Sequence, residues 1–129
     1  MNYLVDTHVV AWLFEDRQRL PASILERLED SRNDVFVSPV NAYEIGLKFN
    51  LGKWPRVAAL ARDFSGFCAE AGFVRLAISV RDGEIAATLP LDHRDPFDRL
   101  LAAQSSGNGL PILSADPALD LFGLTRIWT

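Results

Sequence analysis

Four carboxylates stand where side chains can do chemistry instead of merely keeping a surface wet. Asp6 ends the apolar run Tyr3-Leu4-Val5, and Asp116 follows Pro111-Ile112-Leu113 after Ser114-Ala115. Short unbroken apolar runs predict strands covered on both faces, as in parallel α/β sheets, and such sheets place ligands just beyond the carboxyl ends of their strands. Asp98 falls in the first turn of the helix predicted to start at Asp95-Pro96. Glu44 interrupts an apolar stripe, since Val40, Glu44, Leu47 and Leu51 share one side of a predicted helix. One sheet end can therefore collect all four. Clustered carboxylates raise one another's pKa unless a cation holds them. Hard oxygen donors suit Mg²⁺ or Mn²⁺, whereas His8 and His93 are too few and too far apart in sequence for a typical zinc site. The chemistry this points to is metal-assisted phosphoryl transfer.

Taken singly, each acid also has a plainer reading. Asp6 or Thr7 can N-cap the following helix, Glu44 can pair with Lys48 one turn on, and Asp116 can cap a helix whose first residue is Pro117. Asp95 reads as the N-cap before Pro96 at N1, and Asp98 at N3 suits the positive end of the helix dipole. It is the four together that favour a shared site.

The elements that must position them follow from periodicity and breaks. Strands are predicted at Tyr3–Val5, Val35–Val37, Phe73–Leu76, Pro111–Leu113 and Thr125–Trp128. Helices are predicted from Val9 to Phe14, from Pro21 to about Asp30, from Ser38-Pro39 to about Asn50, from Val57 to Ala71, from Ser79 to Leu89 and from Asp95 onward. Gly52-Lys53-Trp54-Pro55 reads as a turn, and Gly72 ends the fourth helix. Cys68 lies on that amphipathic helix and is expected to pack as a small apolar residue.

Composition sets the frame. The chain has 129 residues, 49% hydrophobic and 23% charged, as expected of one globular domain spanning residues 1–129. A single cysteine permits no internal disulfide and favours a reducing compartment. With no secretory pattern and no apolar run near the ~18 residues of a membrane span, a cytoplasmic protein with no membrane partner is expected. The net charge of −4 argues against a nucleic-acid coat that relies on a basic surface. If the four acids form one metal cluster, however, the remaining 13 acidic residues balance the 13 basic ones.

Leu4-Val5-Asp6-Thr7-His8, Ser38-Pro39-Val40-Asn41-Ala42-Tyr43-Glu44-Ile45, the segment His93 to Gln104 and Ser114-Ala115-Asp116 resemble, in order, the motifs of PIN-domain ribonucleases. In particular they resemble the VapC-like toxins of type II toxin–antitoxin pairs. The resemblance covers essentially the whole chain. It implies a three-layer α/β/α fold with a five-stranded parallel sheet in the order 3-2-1-4-5. It implies Asp6, Glu44, Asp98 and Asp116 as the acidic metal-site residues, with Thr7 and Ser114 as supporting hydroxyls. Asp95 is outside that set and stays mainly a cap. Many relatives carry Asn in place of His8 and Thr in place of Ser114, differences that leave the acidic set intact. The implied activity is Mg²⁺-dependent hydrolysis of RNA phosphodiesters, with Mn²⁺ as a substitute, by a toxin that inhibits translation and growth. The implied partners are RNA, a small cognate antitoxin and a second copy of the chain, assembled as a homodimer and as a toxin–antitoxin hetero-oligomer.

Two further expectations concern single side chains. Arg99, beside Asp98, is expected on an exposed helix face, solvated or within reach of RNA phosphate. Trp12, Leu13, Leu47, Leu51 and Trp54 are candidates for an apolar groove receiving the antitoxin, or else for core. The rival readings are a receiver-type phospho-accepting domain and a catalytically silent PIN-like binding module. The first needs a lysine near the acidic pocket late in the chain, and the only lysines are Lys48 and Lys53.

Overall fold

The computed structural model describes residues 1–129. Five strands, β1 (Asn2–Val5), β2 (Asp34–Val37), β3 (Val74–Arg75), β4 (Ile112–Leu113) and β5 (Arg126–Ile127), form one sheet in the order β3-β2-β1-β4-β5. Every pairing is parallel, so each strand needs a crossover to reach the next. Seven helices supply the crossovers up to β4, namely α1 (Thr7–Glu15), α2 (Ala22–Glu29), α3 (Pro39–Asn50), α4 (Ala58–Arg62), α5 (Phe64–Glu70), α6 (Val80–Thr88) and α7 (Pro96–Gly107), and the 3-10 turn Pro117–Phe122 links β4 to β5. The expected order and three-layer α/β/α arrangement are both observed. None of the helices is long and apolar enough to cross a membrane.

Strand alternation builds the two apolar layers. Tyr3, Val5, Val35, Val37 and Leu113 point to the side covered by Val9, Val10 and Leu13 of α1, Ile24 and Leu28 of α2, Leu60 and Cys68. Leu4 and Ile112 point to the other side, against Leu101 of α7, Val40, Leu110 and Leu119. β1 is thus covered on both faces, which is why its sequence reads as a continuous apolar run. The chain leaves β1 toward β2 on one side, while β4 returns on the other. The strand order reverses at β1, and Asp6 is the first residue beyond it.

Two expectations are corrected. The helix expected from Val57 to Ala71 is broken into α4 and α5 at Asp63, whose carboxylate turns to accept from the backbone N–H of Gly66. A Cβ at position 66 would run into that carboxylate, so glycine is what lets Asp63 cap a new helix there. Of the residues offered for a groove or for core, Leu13 is core at 6% exposure, whereas Leu51 is 59% exposed and Trp12, Leu47 and Trp54 are half-buried. Cys68 packs as expected, and burial pushes its thiol up to about 11.

Arg99 is the second correction and the more consequential. It is buried at 9% exposure instead of projecting to solvent. Its guanidinium donates to the carbonyls of Ala86 (2.7 Å), Leu89 (2.8 Å), Pro90 (2.6 Å) and His93 (3.0 Å). The last carbonyls of a helix have no intrahelical donors, and α6 ends without a glycine cap because Leu89-Pro90 cannot supply one. Arg99 fills that role from α7, with its charge at the negative end of the α6 dipole, and so fixes the loop carrying His93. Arg99→Ala should lower the unfolding free energy by about 3 kcal/mol, because it leaves buried carbonyls without donors. Urea denaturation of the purified variant measures this; wild-type stability combined with lost RNA cleavage would return Arg99 to the role of a phosphate contact.

Candidate active site

Asp6 is set by the local chemistry of the β1–α1 junction. It is the N-cap of α1, 4% exposed. Its Oδ1 accepts from the Thr7 backbone N–H at 2.8 Å, and its Oδ2 accepts from the Ser114 hydroxyl at 2.6 Å. Ser114 Oγ in turn accepts from the Asp116 N–H at 3.0 Å, so one hydroxyl couples the loop after β4 to the carboxylate after β1. Asp116 caps the 3-10 turn Pro117–Phe122 by accepting from the Ala118 N–H at 2.9 Å. The capping readings of Asp6 and Asp116 are both correct, and capping is also what aims these carboxylates into the same space.

That space is a cleft of about 190 Å³ lined by Asp6, Thr7, His8, Glu44, Lys48, Trp54, Asp95, Asp98 and Asp116. All four sequence-predicted acids reach it. Glu44 does so while also making the expected ion pair, at 2.7 Å from Lys48 Nζ. Asp95 caps α7 by accepting from the N–H groups of Phe97 and Asp98, and its residue lines the rim. Larger cavities exist elsewhere, notably one of about 510 Å³ at the opposite end of the sheet between α1, α2 and the Gly72 turn. Glu29, Asp30 and Asp34 line it, but Glu29 is paired with Arg17, Asp30 with Arg32, and Asp34 is exposed, whereas the smaller cleft gathers five acids of which Asp6 and Glu44 are buried.

Several contributors were not visible as such in the sequence. Asn41, fully buried, closes a capping box with Ser38 and donates from Nδ2 to the Val5 carbonyl and to Thr7 Oγ1, both at 3.2 Å. It locks the start of α3 to the end of β1. The one sequence signal is its place three residues after the cap Ser38. His8 accepts at Nε2 from the Ala115 N–H at 3.0 Å, which puts its proton on Nδ1, 3.5 Å from Asp6 Oδ2. Burial lowers its pKa, so the ring is neutral, and it packs against Trp12 at 4.8 Å between centroids and Trp128 at 6.1 Å. His93 lies 2.7 Å from Asp98 Oδ2.

The electrostatics are those of buried acids with acidic neighbours. Burial pushes the Asp98 carboxyl up to about 6, reinforced by the charges of Asp6 and Asp95 and opposed by His93. Asp6 is raised as well, mainly by burial, with Glu44 adding to the rise, while His8, Ser114 and Thr7 oppose it. As the side chains are oriented, no three His, Cys, Asp or Glu groups form a ready coordination shell. Glu44 is turned to Lys48 and Asp98 to His93. The donor set nonetheless fits a hard divalent cation, because it is all carboxylate oxygen and buries negative charge that lacks full compensation.

Comparison with known proteins bears on the fold and the family. No curated protein sequence matches the chain. Among solved structures, VapBC2 from Rickettsia felis bound to a promoter DNA fragment is similar with a TM-score of 0.73 at 13% identity, covering 98% of both chains. FitAcB from Neisseria gonorrhoeae gives 0.67 at 21% identity over 98% of this chain and 96% of that one. VapBC-1 from nontypeable Haemophilus influenzae gives 0.67 at 15%, over 98% and 97%. At such identities these likenesses speak for the fold. The PIN domain family model matches residues 3–123, nearly the whole length, and the chain belongs to the PIN-domain family.

Proposed function

We propose that this chain is a metal-dependent endoribonuclease and the toxin of a toxin–antitoxin pair. The observation carrying this reading is the convergence of Asp6, Glu44, Asp98 and Asp116 in one cleft at the carboxyl end of the central strand. These four would hold Mg²⁺, or Mn²⁺ in its place. A bound ion of this kind lowers the pKa of water and polarises a phosphoryl oxygen. The chain's part is to present fixed oxygens: Asp6 is oriented by Thr7 and Ser114, and Asp116 by Ala118. Glu44 and Asp98 are the two that must turn from Lys48 and His93. The reaction is displacement at phosphorus by water, with the P–O bond to the leaving ribose oxygen breaking and a proton passing to that oxygen. No covalent intermediate is needed.

The named structural relatives are toxin–antitoxin complexes, VapBC2, FitAcB and VapBC-1. By analogy a small antitoxin silences this chain, homodimers and toxin–antitoxin hetero-oligomers form, and the free toxin inhibits translation and growth. Trp12, Leu47, Leu51 and Trp54 remain as the apolar residues such a partner would cover. A second reading, a catalytically silent PIN-like module, draws on the pairing of Glu44 with Lys48 and of Asp98 with His93.

Cleavage assays separate the two. Protein freed of antitoxin should cut RNA with Mg²⁺ or Mn²⁺ and stop with chelator, and Asp98→Asn should lose on the order of a hundredfold or more. Asp95→Asn should retain most activity, because Asn caps about as well as Asp. Full activity in chelator, or equal losses in the two variants, contradicts these roles. Protonation offers an independent check. Between the ordinary carboxylate value of 3.8 and about 6, the folded metal-free protein holds a proton on Asp98 that the unfolded chain has released. Stability from this group is therefore lost as pH rises through that window and stays lost above it. In chelator, the stability of Asp98→Asn relative to wild type should grow from pH 4 to pH 7; a constant difference would place Asp98 outside the crowded cleft.

A further inference from the structure

The cleft poses a problem for the proposed substrate. RNA carries a negative charge at every phosphate, yet the chain has a net charge of −4 and the cleft gathers five aspartate and glutamate side chains, Asp95 included. Some other part of the surface must draw the strand in and hold it. Between Ile45 and Arg62 the chain carries Lys48, Lys53, Arg56 and Arg62 and no acidic residue at all. This stretch is the second half of α3, the Gly52 turn, the 3-10 turn Pro55–Val57 and α4.

One end of this arm is the cleft itself. Lys48 and Trp54 both line it, and Lys48 Nζ stands 5.9 Å from the Trp54 ring centroid. Further along the chain, Lys53 is exposed with its ammonium in no ion pair, and Arg62 is exposed with its guanidinium 5.7 Å over the Phe49 ring and likewise in no ion pair. Arg56 differs, since it is committed to Asp16 at 3.3 Å and to the Glu15 carbonyl. A cation at the cleft mouth and two further cations in no ion pair supply the charge that a single-strand backbone needs, with the half-buried Trp54 ring at the cleft end.

We propose that the α3–α4 arm is the RNA-docking surface of this protein, with Lys53 and Arg62 contacting phosphates and Lys48 and Trp54 leading the strand into the acidic cleft. This rests on the nuclease reading for its catalytic consequence, while the binding itself can be measured apart from it. Lys53 and Arg62 touch none of the four carboxylates, so Lys53→Ala/Arg62→Ala removes the track and leaves the cleft intact.

The test uses the full chain freed of any partner, carrying Asp98→Asn and kept in chelator so that RNA survives. Binding of a fluorescein-labelled single-stranded oligouridylate is followed by anisotropy across a salt series. Loss of two phosphate contacts should weaken binding at low salt and make the slope of log Kd against log salt shallower by about 1.4, at ~0.7 per contact for single strands. In the chain that keeps its native Asp98, with Mg²⁺, Lys53→Ala/Arg62→Ala should raise KM for RNA, leave kcat unchanged, and hydrolyse bis(p-nitrophenyl) phosphate like wild type. Unchanged RNA affinity and slope, or no RNA binding by either protein, overturns the docking surface while leaving the nuclease reading to its own assay. Absence of hydrolysis of every substrate sinks that reading and leaves the binding result standing. If polyglutamate of equal charge binds as tightly as RNA and is lost in the same variant, the arm is a dock for an acidic polypeptide and the RNA assignment fails.

Discussion

The carboxylate of Asp6 is held inside the protein, 4% exposed, at the end of a strand with neighbours on both sides. A buried charge of this kind is costly unless hydrogen bonds or counter-charges meet it. Much of the local structure can be understood as meeting it. Thr7 turns its N–H to one oxygen, Ser114 reaches across from the loop after β4 to the other, and neutral His8 presents its Nδ1–H side. The same groups fix what lies next to them. Ser114 holds the Asp116 N–H, His8 holds the Ala115 N–H, and Asn41 ties Thr7 and the Val5 carbonyl to the start of α3. The positions of β4's loop and of the helix carrying Glu44 are thus consequences of how one carboxylate is satisfied.

The remaining negative charge is handled by internal stand-ins. Lys48 answers Glu44 from the same helix, and His93 answers Asp98 from a loop that Arg99 pins by its hold on the α6 carbonyls. Burial still pushes Asp98 up to about 6 despite His93, and raises Asp6 as well. A divalent cation would replace both pairings with direct oxygen contacts and free Lys48 at the mouth of the cleft.

Much of this was legible in the sequence, and the parts that were not have physical reasons. Apolar runs and their breaks located the strands, because a central parallel strand must be apolar on both faces. Asp95-Pro96 and Ser38-Pro39 located helix starts, because proline at the first helical position follows a side-chain cap. Tertiary choices left no such trace. Asp63 breaks a helix only because Gly66 leaves room for its carboxylate. Arg99 looks like any helical arginine until α6 is seen to end without donors for its carbonyls. His93 meets Asp98 only through the loop so formed, and Asn41 in a run of helix formers gives no sign that it reaches β1. For Asp6, Glu44 and Asp116 the structural reading does not remove the carboxylate from the cleft, since a cap or an ion pair is also a way to aim an oxygen.

Whether the four acids constitute a metal site can be measured without knowing the RNA. Melting curves of wild type and Asp98→Asn, each with chelator and with Mn²⁺ at fixed ionic strength, report metal binding to the native state through its stability. Wild type should gain about 2.7 kcal/mol when Mn²⁺ reaches roughly a hundred times its Kd, and Asp98→Asn should lose most of that gain. Equal shifts in both proteins, or none in either, would mean that Asp98 binds no metal and that the convergence in the cleft has another purpose.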